Sequence, residues 1–198
     1  MRHPARTVLV RHALFIALLM AVAAAAAGAE AALDTVEDVD LDRYMGRWHQ
    51  IALLPNRFQA MCVADTTATY SRLPDGRVRV VNSCRDETGT LQRAEGVARL
   101  NDAYDDPARL EVRFAPAWLG FLPFVWGDYW ILALEPDYSA VLVGAPDRDY
   151  LWVLARTPRI PRETYDRLLD VAREQGFDVA ALTLEGPDVV GGPGGNTD

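Results

Sequence analysis

Chemistry in a protein starts from side chains that can exchange a proton, attack as a nucleophile or bind a metal. This chain has few of them. Its histidines are His3, His12 and His49, its cysteines are Cys62 and Cys84, and all 20 basic residues are Arg, with no Lys anywhere. Without Lys there is no Schiff base, no phosphate-loop lysine and no Ser-Lys dyad. Two Cys are too few for a Cys-based zinc site. The 28 acidic residues set the net charge at −8, which argues against a nucleic-acid partner, because that needs a basic footprint. A Ser-His-Asp triad is the nucleophilic arrangement left to consider.

The first residues shrink this inventory further. Arg2, Arg6 and Arg11 precede an uncharged apolar run from Ala13 to Ala27, and Ala27-Gly28-Ala29 and Ala29-Glu30-Ala31 both read A-x-A. A basic, then apolar, then small-residue order is that of a secretory signal peptide, assigned here to residues 1–32. A membrane anchor is the alternative, but the run is short of the ~20 residues a spanning helix needs. No Cys lies near the cut, so the sequence is not that of a lipoprotein. The expectation is an exported, periplasmic protein, with outer-membrane association left open. Cleavage removes Arg2, Arg6, Arg11 and Glu30, leaving 17 Arg against 27 acids and a net charge of about −10. It also removes His3 and His12. No metal or other cofactor is expected, and a triad could be built only on His49. In an oxidising compartment two lone Cys usually pair. Cys62 and Cys84 would close a loop of about 22 residues, worth ~3 kcal/mol in the chain-entropy model; two buried free thiols are the alternative.

The elements that must position these residues have period two. Ala64, Thr66, Ala68 and Tyr70 alternate with a polar set. After the turn Pro74-Asp75-Gly76, Val78 and Val80 alternate with Arg77 and Arg79. Ala94, Gly96, Ala98 and Leu100 share a face, and Leu110, Val112 and Phe114 share another. Tyr129–Glu135, Ser139–Gly144 and Tyr150–Arg156 complete, with Arg47–Leu54, eight short strands joined by turns. Such spacing predicts an all-β, antiparallel meander that closes into an up-and-down barrel. A barrel of eight strands is filled by side chains or holds one small ligand. The small residues Ala64, Ala68, Ala94, Gly96 and Ala98 leave room; the alternative is that Phe114 and Trp130 refill it. One helix follows, with Pro161 in its first turn, Tyr165, Leu168, Leu169 and Ala172 on its apolar stripe and Gly176 at its end. It is expected to pack outside the barrel, and Phe177–Leu184 to add a short strand. The barrel domain is assigned to residues 33–185 and a disordered Gly-rich tail to 186–198.

Two blocks carry a resemblance. Gly46-x-Trp48 follows Leu41-Asp42-Arg43-Tyr44-Met45 at the first strand, and Ala145-Pro146-Asp147-Arg148-Asp149-Tyr150-Leu151-Trp152-Val153-Leu154-Ala155-Arg156-Thr157-Pro158 spans the last. Together with Ala68-Thr69-Tyr70 and Glu174-x-Gly176-Phe177-Asp178, they resemble the lipocalin family, in particular its bacterial outer-membrane members of the Blc type. The resemblance covers about residues 38–185. It implies that Trp48 sits at the closed end with Arg156 across it, a cation–π contact of ~0.5–2 kcal/mol, and that Gly46, Trp48 and Arg156 are structural. It also implies that Cys62 and Cys84 border the open mouth. A strict hairpin about Asp75-Gly76 would set residue 62 against 89, so a bridge to Cys84 requires a bulge.

The loop Ala115–Gly127 carries Trp118, Phe121, Phe124 and Trp126 and no charge. Connections are normally polar, so an apolar one at the mouth points to contact with membrane, ligand or partner; folding inward as a lid is the alternative. The ligand expected is apolar with a small polar head, and the resemblance implies a fatty acid or lysophospholipid. The candidate lining is Ala64, Thr66, Ala68, Tyr70, Val78, Val80, Asn82, Ala94, Phe114 and Trp130, shaping a largely apolar cavity. Arg57 is the candidate for an anionic head, a solvated loop Arg being the alternative. The function read from this is binding and carriage or storage of a small hydrophobic ligand, with no catalytic residue. Two alternatives stand beside it. One is a lipid- or isoprenoid-modifying enzyme using His49, which should point outward if Trp48 points in. The other is an envelope interaction module whose loop 115–127 binds a protein or a second copy of the chain as a homodimer.

Overall fold

A computed structural model of the chain describes residues 32–104 and 106–191. Nearly all of the expected signal peptide, and residues 192–198 of the expected tail, lie outside the described residues. The period-two segments form eight antiparallel strands: β1 (Gly46–Leu53), β2 (Ala64–Arg72), β3 (Val78–Arg85), β4 (Leu91–Leu100), β5 (Arg109–Arg113), β6 (Gly127–Leu134), β7 (Ala140–Gly144) and β8 (Leu151–Ala155). Each pairs with the next, and β8 returns to β1 through His49 opposite Ala155 and Gln50 opposite Leu154. The ladder therefore closes into a barrel. β6 begins two residues earlier than the sequence suggests, because Gly127 and Asp128 still pair with Val112 and Glu111 of β5.

Two apolar layers result. Inside the barrel, Trp48, Tyr70, Val78, Val80, Leu110, Ile131, Val141, Val143 and Leu154 pack together. Outside it, Ile51, Leu132, Leu142, Leu151 and Val153 lie under helix α2 (Arg162–Glu174), whose Tyr165, Leu168, Leu169 and Ala172 are buried as their spacing predicts. β7 is buried at every residue because both of its faces are covered. A short helix α1 (Leu41–Tyr44) precedes the barrel, and the Asp40 carboxylate caps it by accepting from Asp42 N at 2.9 Å and Arg43 N at 3.2 Å. α1 turns into β1 at Gly46, which has φ +100° and would place a Cβ 3.2 Å from Arg156 Nη1. Only glycine meets both demands easily.

The segment after α2 contains the expected short strand and departs from expectation only at its end. Instead of being disordered from residue 186, the chain forms β11 (Val190–Gly191), parallel to β9 (Ile160–Pro161), and Val190 is buried in the outer layer. Before that, β10 (Thr183–Leu184) pairs with the upper half of β1, Leu184 opposite Ala52 and Thr183 opposite Leu53. This pairing is possible because β1 leaves β2 early. Their ladder ends at His49 opposite Thr67. Above that point β2 bulges at Asp65, where φ is +56°, and its register with β3 shifts between Ala64 and Thr67. The wall thus has a seam on its mouth side. Glu185 stitches it: its N–H donates to Ile51 O at 2.9 Å and its carboxylate accepts from Thr66 N at 2.8 Å.

The same bulge carries Cys62 toward Cys84. The two are bridged, with Cα atoms 5.5 Å apart. The open thiol alternative is thereby removed, and the bulge required by the hairpin count is found in β2.

Candidate ligand-binding site

The floor is built from aromatic residues whose polar groups bond to backbone carbonyls and to one another. Arg156 Cζ lies 3.9 Å from the centre of the Trp48 ring. Its guanidinium donates to Arg43 O at 2.7 Å, Met45 O at 2.9 Å, Arg47 O at 3.1 Å and Tyr138 O at 3.3 Å. Four of its five N–H donors are thus spent on backbone carbonyls, which fixes the guanidinium over the floor. Trp48 Nε1 donates to Tyr44 O at 2.9 Å. Above it, three hydroxyls chain together: Tyr129 Oη is 2.8 Å from Tyr44 Oη and 2.9 Å from Tyr70 Oη. Burial is the largest cause raising all three hydroxyls, Tyr70 to about 12 and the other two well above their ordinary value. They are neutral at any physiological pH, and three O–H protons serve two hydrogen bonds. One O–H therefore remains available to a group above.

Higher up, the inner face becomes small and polar. Of the expected lining residues, Thr66, Ala68, Tyr70, Val78, Val80 and Asn82 follow the inward set of β2 and β3, and Ala94 faces in beside Asn82. Thr66 Oγ1 and Asn82 Oδ1 are buried without a hydrogen-bond partner. Phe114 lies opposite Gly96 at the rim. A Cβ at Gly96 would come 2.7 Å from Arg113 O and 2.8 Å from Phe114 Cδ1, so the glycine is what lets this ring lie across β4.

Two expected lining residues are elsewhere. Trp130 faces outward: its neighbours Tyr129 and Ile131 hold the inner positions, and its ring packs in the outer layer beneath Arg109 and Tyr104. Ala64 lies opposite Arg85, on the outer face of β3, because the bulge at Asp65 reverses its side.

Two hollows open at the mouth. One of about 300 Å³ lies between β4 and the loop that follows β5, against Gly96, Phe114 and Pro116. The other, about 600 Å³, lies between loop 55–63 and β10, and its lining includes Gln50, Asn56, Arg57, Gln59 and Glu185. The sequence singled out Arg57 of this group and missed the rest. They form one network. Trp152 Nε1 donates to Gln59 Oε1 at 2.7 Å, Gln59 Nε2 to Gln50 Oε1 at 2.7 Å, and Gln50 Nε2 to Glu185 Oε2 at 2.7 Å. Gln50 was legible by parity, two residues after Trp48 on the same strand. Glu185 carried no local signal.

The loop 115–127 does not fold inward as a lid. Trp118, Phe121 and Phe124 are 73%, 78% and 79% exposed. Trp126 does not share that exposure: its Nε1 donates to Gly120 O at 2.8 Å and its ring lies 4.0 Å from Arg99 Cζ. Buried Arg113 holds the loop's base by donating to Ala115 O at 2.8 Å and Pro116 O at 2.5 Å. With its polar backbone tied down, the loop presents three apolar side chains to the outside.

A lipocalin-like domain description matches residues 39–186 of this chain. The chain is a lipocalin. It is 42% identical over 151 residues to temperature-induced lipocalin-1 of Arabidopsis thaliana, covering 76% of this chain and 80% of that one. It is 40% identical over 146 residues to the outer membrane lipoprotein Blc of Escherichia coli K12, covering 73% and 77%. Among solved structures, insecticyanin from Manduca sexta superposes with a TM-score of 0.60 at 17% identity, covering 81% of this lipocalin and 90% of that chain, a likeness of fold. Three residues of the blocks that carry the resemblance occupy the floor described above: Gly46 at the entry, Trp48 beneath the lumen and Arg156 across it. Other chemistry is sparse. His49 alternates with Trp48 and faces outward, where burial and the nearby Arg47 lower its pKa. Among the described residues no group of three His, Cys, Asp or Glu is placed to hold a metal, and no helix is long and apolar enough to cross a membrane.

Proposed function

We propose that this lipocalin binds, and carries or stores, a small hydrophobic ligand with one polar head, a fatty acid or a lysophospholipid, in the bacterial envelope and without catalysing a reaction on it. The observation that carries this reading is the gradient along the inner face. The floor is aromatic and its tyrosine hydroxyls are linked to one another, while the upper wall is small, with the buried oxygens of Thr66 and Asn82 unpartnered. Buried polar atoms in a protein nearly always have partners. Two without them on one apolar wall fit a ligand that brings its own. The acyl chain would lie over Ala68, Tyr70, Val78 and Val80, and the head near Thr66, Asn82, Ala94, Phe114 and Arg57. Of these residues Arg57 also lines the hollow between loop 55–63 and β10. The Arg-then-apolar N-terminus supports export, and the Blc relatives support an envelope location.

The test is displacement of an environment-sensitive fatty-acid probe. Acyl chains should displace it, and failure of the protein to bind any of a range of acyl chains would remove the reading. A His49→Ala variant should bind as wild type does; a catalytic change that tracks His49 would favour the enzyme alternative.

A second reading, that the loop docks on lipid bilayers, is favoured by Trp118, Phe121 and Phe124. Three exposed aromatics on one loop fit a surface that contacts an apolar phase. Trp118→Asp and Phe121→Asp should abolish co-sedimentation with liposomes while leaving the mass in solution unchanged. A fall in mass would instead assign the loop to a homodimer.

A further inference from the structure

Glu185 is a carboxylate without a cation. Its Oε1 accepts from Thr66 N at 2.8 Å and its Oε2 from Gln50 Nε2 at 2.7 Å. Each oxygen keeps a free lone pair. The residue is half-buried, and among the described residues it enters no ion pair. Its position is over-determined, because its backbone is laddered to Ile51 and its carboxylate leans on the chain from Gln50 through Gln59 to Trp152. Both of its partners are neutral, so the negative charge is oriented but not compensated. Taking an ion out of water is costly unless it is paired.

Arg57 stands on the same hollow with the opposite deficiency. It is exposed, lies 4.8 Å from the centre of the Phe58 ring, and enters no ion pair among the described residues. One hollow therefore holds a fixed anion and a cation that enter no ion pair among the described residues. Apolar Leu53, Val63 and Leu184 line it beside polar Asn56, Gln59 and Thr183. Gln50 joins it to the inner face, following Trp48 on the inward set of β1.

We propose that this hollow is a head-group subsite for a zwitterion, taking an ammonium group on Glu185 and the phosphate of the same head on Arg57. The inference rests on the lipid-carrier reading and sharpens it: the ligand is a single-chain lipid whose head carries both charges, selected over the free fatty acid. Charge-assisted hydrogen bonds are about twice as strong as neutral ones, and a primary ammonium has three donors for the two free lone pairs. Glu185 also closes the seam between β1 and β2, so its test must read head-group choice and not stability.

The experiment displaces a fatty-acid probe from the full chain with four competitors of one acyl length: the fatty acid, the lysophosphatidic acid, the lysophospholipid with an ethanolamine head, and the alkylamine. In the wild type the ethanolamine lipid should outcompete the phosphate-only lipid by about tenfold, the effect of one charge-assisted contact. Glu185→Gln keeps a carbonyl acceptor for Thr66 N and should bring the two within about twofold. Arg57→Gln, on an exposed loop, should weaken both phosphate-bearing lipids several-fold and leave the alkylamine unchanged. Equal competition by all four in the wild type, or a head preference that survives Glu185→Gln, overturns this inference and leaves the carrier reading standing. Displacement by none overturns both.

Discussion

At the closed end of this barrel, Arg156 lies 3.9 Å from the centre of the Trp48 ring and donates to four backbone carbonyls. At the open end, Thr66 Oγ1 and Asn82 Oδ1 have no partner, and Trp118, Phe121 and Phe124 face outward. The same ladder of strands supports both. The difference lies in how completely each end satisfies itself. The floor closes the barrel with contacts made almost wholly within the protein, and such contacts give stability. The mouth leaves polar atoms, charges and apolar rings to be completed by something else, and that is what recognition requires. Changes at the floor should therefore move stability with little change in ligand preference, and changes at the mouth should do the reverse.

The largest effect should come from Trp48→Ala. The side chain is fully buried, and its loss should cost about 3–5 kcal/mol in denaturant unfolding; a cost under about 1 kcal/mol would mean the floor is not the keystone. The disulfide is the one strong staple at the mouth. Replacing Cys62 and Cys84 by Ser opens a 22-residue closure and should cost about 3 kcal/mol. Because it frees the loop bearing Arg57 and Gln59, it should weaken lipid binding as well, which no floor substitution should do selectively.

Next comes the tyrosine chain. Burial holds Tyr70 at about 12 in the folded protein, against roughly 10 when unfolded. A raised folded pKa contributes stability that is fully present below pH ~10 and is lost as pH rises through the folded value. Tyr70 alone should cost on the order of 2–3 kcal/mol between about pH 10 and 12, read as a falling unfolding midpoint. A Tyr70→Phe variant should lose less stability across that window than wild type.

Gly96→Val should cost about 1–3 kcal/mol, since its side chain would meet Arg113 O and the Phe114 ring, and should displace Phe114 from the rim. Smallest of all, Trp118→Asp should shift stability by no more than about 0.5 kcal/mol while removing liposome binding.

Much of this was legible in the sequence, and what was not has specific causes. The strands declared themselves by alternation, and the floor by a motif at each end of the barrel. Alternation misled where both faces are apolar. Trp130 reads as a lining residue because β6 carries no charged residue from Tyr129 to Leu134 to mark its outer side, which lies toward α2. Ala64 was lost to the bulge at Asp65, which reverses the strand's sides. Trp126 shares its loop's composition with the exposed rings but is pinned by Arg99 and Gly120. Glu185 meets Thr66 across 119 positions of chain, a contact set by where β1 and β2 part, and no local pattern encodes that. The tail, expected to be disordered from 186, is drawn into pairing at Val190 because β9 offers it an edge.

The central claim is that the mouth is completed by one lipid. Native mass spectrometry of the protein purified from an envelope extract tests it most directly. One single-chain lipid per barrel is expected, lost from a variant whose lumen is filled by Ala68→Trp and retained in His49→Ala. A barrel that emerges from the extract with no lipid bound, or with the same occupancy after Ala68→Trp, would contradict it.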